Sequence, residues 1–143
     1  MIRQQIMDAL ELRMKAIQGS DYQTDIGRDV RVWNVSAINA SDLPVLNIKD
    51  TDEEIERHAS DEAWKVTLSC EISVTCSGNT AIQDIRKMIA DVYCAIGADG
   101  TLNGLAIKII PEMDTIERED EADAFVKAII QIKIIYGQTA WRE

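Results

Sequence analysis

The chain has 143 residues, of which 46% are hydrophobic, and it carries a formal net charge of −10. This length and composition predict a single folded domain, residues 1–143, and exclude an intrinsically disordered chain. The acidic balance argues against specific nucleic-acid binding, which depends on clustered Lys and Arg side chains.

The cysteine pattern and the N-terminus narrow the class further. Cys70, Cys76 and Cys94 are odd in number and form no CxxC pair, which indicates reduced thiols rather than a disulfide framework. Charges interrupt the N-terminal residues every few positions, so they resemble neither a signal peptide nor a membrane span. We therefore expect a soluble protein with no membrane partner.

The first third of the chain predicts one helix and two strands. Apolar residues recur every three or four positions over residues 1–18, which indicates an amphipathic helix ended by Gly19. Residues 29–38 are rich in β-branched and aromatic side chains and predict a strand. A second strand covers "LPVLNI", residues 43–48, with Pro44 at its start or on a sheet edge.

The middle of the chain gives the clearest pattern. Residues 63–76 alternate strictly between apolar and polar side chains, which predicts an antiparallel strand with one solvated face. Thr80 and Gln83 then resemble a capping box, and the helix that they open is stopped by Gly97.

The last third predicts two further strands. Residues 97–104, "GADGTLNG", form a turn in which Gly97, Gly100 and Gly104 relieve backbone strain. A strand over 105–110 is interrupted by Pro111 and followed by an acidic stretch, and the final strand covers 124–136. The order α-β-β-β-α-β-β predicts an α+β fold: an antiparallel or mixed sheet with both helices on one face.

The stretch "DTDEEIERH", residues 50–58, is the main candidate for a polar site. It matches no calcium loop, because the glycine of the turn is missing, and a zinc site lacks enough His and Cys ligands. We interpret it as an acidic contact loop and predict no metal and no cofactor. A small metal-dependent hydrolase or nuclease that uses this loop and His58 stays an alternative. The proposed contact residues are Asp50, Asp52, Glu53, Glu54 and Glu56.

The final strand has apolar residues on both faces. Besides the expected core face, it carries Phe125, Ile129 and Ile135 on the other side. Either a second layer of the same chain or a neighbouring subunit must cover them, and with only two helices available we favour a subunit contact.

Several segments together resemble a known family. They are the amphipathic N-terminal helix, "LPVLNI" with its acidic continuation, the alternating strand "AWKVTLSCEISVTC", the turn and strand "DGTLNGLAIKIIP", and the apolar closing strand. In this order they resemble the phage tail terminator proteins.

The resemblance implies a structural, non-enzymatic protein that caps the tail tube as a hexameric ring and offers a surface for head joining. The implied partners are further copies of the chain, the tail-tube protein and a head-completion protein. Assembly would take place in the host cytoplasm, and the protein would then remain in the virion tail. Another tail-completion or neck protein is the alternative within this class.

Overall fold

The computed structural model describes residues 2–35, 38–57, 63–118 and 125–139. The elements of these residues confirm the α+β class and the order α-β-β-β-α-β-β. In chain order they are α1 (Ile2–Lys15), β1 (Val30–Val32), β2 (Val45–Arg57), β3 (Ala63–Cys76), α2 (Ala81–Ala98), β4 (Lys108–Arg118) and β5 (Val126–Thr139).

The strands form one mixed sheet in the order β1-β2-β3-β5-β4. Strand β1 is parallel to β2 over three residues, and the other neighbours are antiparallel. Helices α1 and α2 pack on one face, where Leu10 and Val92 join Ile72 and Ile130 in the core. Burying one face of a sheet under two helices is the usual way for an antiparallel sheet of this size to remove its apolar side chains from water.

The two central strands fold as their alternation predicts. The bounds of β3 match the predicted 63–76, and its apolar positions are all buried. In β5, the described positions of the predicted core face are buried too. A strict period of two is the strongest strand signal, because a shift by one residue would expose the entire apolar set.

Four helix and strand ends differ from the predictions. Helix α1 ends at Lys15, before Gly19, and β1 is only three residues long, while residues 36–37 of the predicted strand lie outside the described residues. No capping box forms at α2: the Thr80 hydroxyl donates to Asp84 Oδ2 at 2.9 Å instead of capping the backbone. Gly97 lies inside α2, which continues to Ala98.

The turn after α2 is built on Asp99 rather than on the glycines. Its carboxylate accepts hydrogen bonds from the backbone N–H groups of Thr101 at 3.0 Å and Asn103 at 2.8 Å. The Thr101 hydroxyl bond is the largest cause that lowers the pKa of Asp99 to about 2. Of the three glycines expected to relieve strain, only Gly104 has a positive φ.

The predicted strand 105–110, interrupted by Pro111 before the acidic stretch, is wrong in its bounds. Strand β4 runs through Pro111 to Arg118, with a register shift between Pro111 and Met113. Pro111 is tolerated because β4 is an edge strand, where a missing N–H breaks no pairing on the open side.

Candidate functional site

The acidic stretch is the second half of a strand, and the expected contact loop is corrected accordingly. Residues 50–57 continue β2 and pair with β3, from Asp50 opposite Cys70 to Arg57 opposite Trp64. His58 lies outside the described residues. The many carboxylates argued for a loop, but an edge strand tolerates charge on its open side.

A β-bulge decides which way these carboxylates point. Between Asp50 and Glu53, β2 advances three residues while β3 advances two. The extra residue places both side chains on the helix face of the sheet, although their odd spacing would put them on opposite faces of a regular strand.

Asp50 is an anchor for α1 and for the segment after β1. Its Oδ2 accepts a hydrogen bond from Arg3 Nε at 2.6 Å, and its Oδ1 accepts one from Trp33 Nε1 at 2.7 Å. Burial raises the pKa of Asp50, but the hydrogen bonds from Trp33 and Arg3 outweigh burial, so the pKa is lowered overall. The carboxylate is therefore charged and held by the protein itself.

Glu53 extends the same network to strand β5. The Tyr136 hydroxyl donates to Glu53 Oε1 at 2.6 Å, and Arg3 Nη1 lies 3.4 Å from the same oxygen. We call Arg3, Trp33, Asp50, Glu53 and Tyr136 the anchor network. It joins α1, β2 and β5, so two of the five predicted contact residues have structural partners.

The other three carboxylates lie on the open face or the rim. Asp52 lines a depression together with Glu112 and Lys133, whose charged groups lie 3.1 Å apart. Glu54 is exposed, and Glu56 reaches Lys65 at 3.8 Å.

This division removes the geometry that a metal site would require. Asp50 and Glu53 lie on one face of the sheet, while Asp52 lies on the other. Across the described parts of the chain, no three His, Cys, Asp or Glu side chains converge on a point that could hold an ion. The arrangement therefore gives the hydrolase alternative no ligand set within those residues.

The two cysteines of β3, Cys70 and Cys76, are not suited to act as nucleophiles either. Burial raises the pKa of the Cys70 thiol to about 12 and that of Cys76 to about 11, so both are protonated at neutral pH. Cys70 packs against Met7, with 3.8 Å between the sulfur atoms. Both are core residues, as their alternating positions predict.

The predicted apolar contact on β5 is only partly available. Phe125 and Ile129 are half-buried, whereas Ile135 is only 6% exposed within the single chain. Ile135 is therefore corrected: the chain itself covers it, and it is not a free contact residue.

Strand β4 presents an apolar edge that the sequence reasoning missed. Among the described residues it pairs only with β5, and its side chains are exposed along almost its entire length. Met113 is 54% exposed, and Ile110 and Ile116 are more than a third exposed. The bulge at Pro111 places Ile110 and Met113, three residues apart, on the same open face of the sheet, whereas Ile116 lies on the helix face opposite Ala128.

A second exposed apolar group lies at the opposite edge of the sheet. Val32, Trp33 and Val35, which we call the Trp33 patch, follow each other at the end of β1. Trp33 is 49% exposed and Val35 is 85% exposed. No separate sequence signal marks this patch, because Trp33 falls inside the predicted strand 29–38, where an aromatic residue is expected.

None of the helices in the described ranges has the length and apolar character to cross a membrane. No protein-family model matches the chain. No curated protein matches it either. Among solved structures, it is similar to a chain of the "Virion of native gene transfer agent (GTA) particle", with 11% identity, 96% of this chain and 92% of that chain covered, and a TM-score of 0.44. A likeness at this level establishes neither a family nor a function.

Proposed function

We propose that this chain is a structural protein of a phage or prophage tail, which forms a ring, ends the growth of the tail tube and offers a surface for head joining. The observation that carries the proposal is the exposed apolar edge of β4. A long open edge with large apolar side chains is a site of association, because its backbone groups and its side chains both gain from a neighbour. The resemblance of the sequence to the tail terminators indicates which assembly this would be, a ring at the end of the tail tube.

The charge of the chain supports the same role. A ring at the end of a tube must let DNA pass, and a protein with a net charge of −10 repels phosphate rather than retaining it. Asp52, Glu54 and Glu56 are exposed carboxylates suited to a lumen wall or to a charged contact with the tube or head partner. In this proposal the protein assembles in the host cytoplasm and has no catalytic activity.

The test is to produce the protein together with a phage tail-tube protein and to measure tube lengths by negative-stain electron microscopy. We expect shorter tubes with a ring at one end. Met113→Lys should remove the effect, because it places a charge on the exposed edge of β4. Leu12→Lys is the matched control, since Leu12 is an exposed apolar residue on α1, away from the β4 edge.

Two outcomes would contradict the proposal in different ways. Tubes of unchanged length with bare ends would exclude tube capping. A ring that attaches to heads but leaves tube length unchanged would indicate another tail-completion or neck protein.

A further inference from the structure

Trp33 is held in a backbone conformation that a bulky residue rarely adopts. Its φ is 52°, in the left-handed region, where a large side chain is strained and stays only because its surroundings hold it there. Its N–H donates to the Ile48 carbonyl at 2.9 Å, and its indole N–H donates to Asp50. Lys49 Nζ lies 5.8 Å from the ring centre. The chain thus fixes a half-exposed tryptophan at the β1 edge.

An apolar socket lies at the other edge of the same sheet. It is an open cavity of about 290 Å³ between the C-terminal end of α2 and β4, lined by Tyr93, Ile96, Gly97, Ile109 and Pro111 among others. Gly97 leaves it open, because a Cβ built there would meet no heavy atom within 4 Å.

The two surfaces match in chemistry. The Trp33 patch is apolar with one cation, Lys49, stacked on the ring. The socket is lined mainly by apolar residues, and Tyr93, which lines it, donates its hydroxyl to Asp114 Oδ2 at 2.7 Å, so a carboxylate lies next to the socket. A tryptophan fixed in one orientation loses little entropy on binding, and Trp is the residue most enriched among interface hot spots.

We propose that the Trp33 patch of one copy of the chain seats in the α2–β4 socket of the next copy. The sheet order places the two surfaces at opposite edges, so the contact is heterologous, the kind that builds a ring when its rotation closes. This inference rests on the proposed function and names the two faces through which copies meet.

Two variants remove one face each, and Trp33→Asn also removes the indole hydrogen bond to Asp50. Trp33→Asn removes the indole, and asparagine accepts a positive φ more readily than tryptophan does. Gly97→Leu fills the socket from a helical position where the space is open. Gln83→Leu, at an exposed position near the start of α2, is the matched control for an added leucine. Thermal melts followed by circular dichroism check that all three variants stay folded.

The measurement is mass by light scattering over a concentration series up to the solubility limit. We expect the mass of the wild-type protein and of Gln83→Leu to rise with concentration beyond one chain. Trp33→Asn and Gly97→Leu should each associate at least about tenfold more weakly than the wild type, as expected when a hot-spot tryptophan loses its contact.

Mixing the two variants gives the sharper result. Gly97→Leu keeps an intact Trp33 patch and Trp33→Asn keeps an intact socket, so an equimolar mixture should form a dimer of the two and nothing larger. A wild-type protein that stays monomeric, a variant that associates like the wild type, or a mixture that does not pair would each overturn the contact. The tube-capping experiment is independent of this result, so a failed contact and a failed function can be told apart.

Discussion

The two open edges of the sheet have similar strand features but differ in what their side chains contact. The second half of β2 and the whole of β4 each contain a bulge and several carboxylates, and neither pairs with a further strand among the described residues. On β2, the carboxylates on the helix face of the sheet belong to the anchor network, and those on the other face are exposed. On β4, the exposed side chains include Ile110, Met113 and Ile116. Acidity alone therefore does not identify a contact surface: the partners of each side chain do.

The largest expected effect on stability comes from removing a carboxylate of the anchor network on β2. Asp50→Ala leaves Arg3 and the Trp33 indole without their acceptor, in a partly buried site. We expect a loss of about 2 kcal/mol in the free energy of unfolding, measured by urea denaturation. Asp52→Ala, only two residues away but exposed, should stay within about 0.5 kcal/mol. Equal losses in the two variants would contradict the separate roles of these carboxylates.

A matched pair of tyrosines compares the two edges directly. Tyr136 donates to Glu53 on the β2 side and is 1% exposed, while Tyr93 donates to Asp114 on the β4 side in an exposed contact. Tyr136→Phe should lower the free energy of unfolding by about 1 kcal/mol, and Tyr93→Phe by less than about 0.5 kcal/mol, because water replaces an exposed hydrogen bond. Equal urea midpoints for the two variants would show that burial does not separate the edges.

The anchor network also predicts a pH dependence. The folded pKa of Asp50 lies below its ordinary value of 3.8. Its contribution to stability is therefore fully present above that value and is lost as the pH falls through the lower folded pKa. The stability difference between the wild type and Asp50→Asn should shrink over this range in urea titrations at several pH values. A difference that stays constant with pH would mean that the charge of Asp50 does not carry the effect.

The smallest effect on stability is expected on the exposed rim of β2. Glu54 and Glu56 flank Ile55, which is 50% exposed, and charges beside an apolar residue protect an open edge from pairing. Replacing both glutamates by threonine should change the free energy of unfolding by less than about 0.5 kcal/mol. The same variant should raise the mass found by light scattering, whereas Met113→Thr on β4, which lies outside the Trp33 contact, should leave it unchanged. If both variants shift the mass in the same direction, the two edges do not differ as we describe.

The bulges explain why part of the site escaped the sequence. A reader of residues 50–57 finds mostly charges and no period of two, because the extra residue after Asp50 breaks the alternation. In the same way, the bulge at Pro111 places Ile110 and Met113 on one face, although residues three apart lie on opposite faces of a regular strand. Bulges depend on pairing with another strand, so a single segment does not reveal them.

The sequence by itself determined the α+β class, the order of elements, both helices and the bounds of β3. These features depend on local periodicity. Each apolar pattern forms one buried face in only one type of element, so a period of two predicts a strand and a period near 3.6 predicts a helix. The tertiary structure decided which carboxylates have partners and which apolar residues remain outside. Arg3 and Asp50 are 47 residues apart in the chain, and only the packing of α1 on the sheet brings them to 2.6 Å. The position of a strand at the edge or the centre of the sheet is also a property of the whole fold, and it is this position that leaves β4 open to a neighbour.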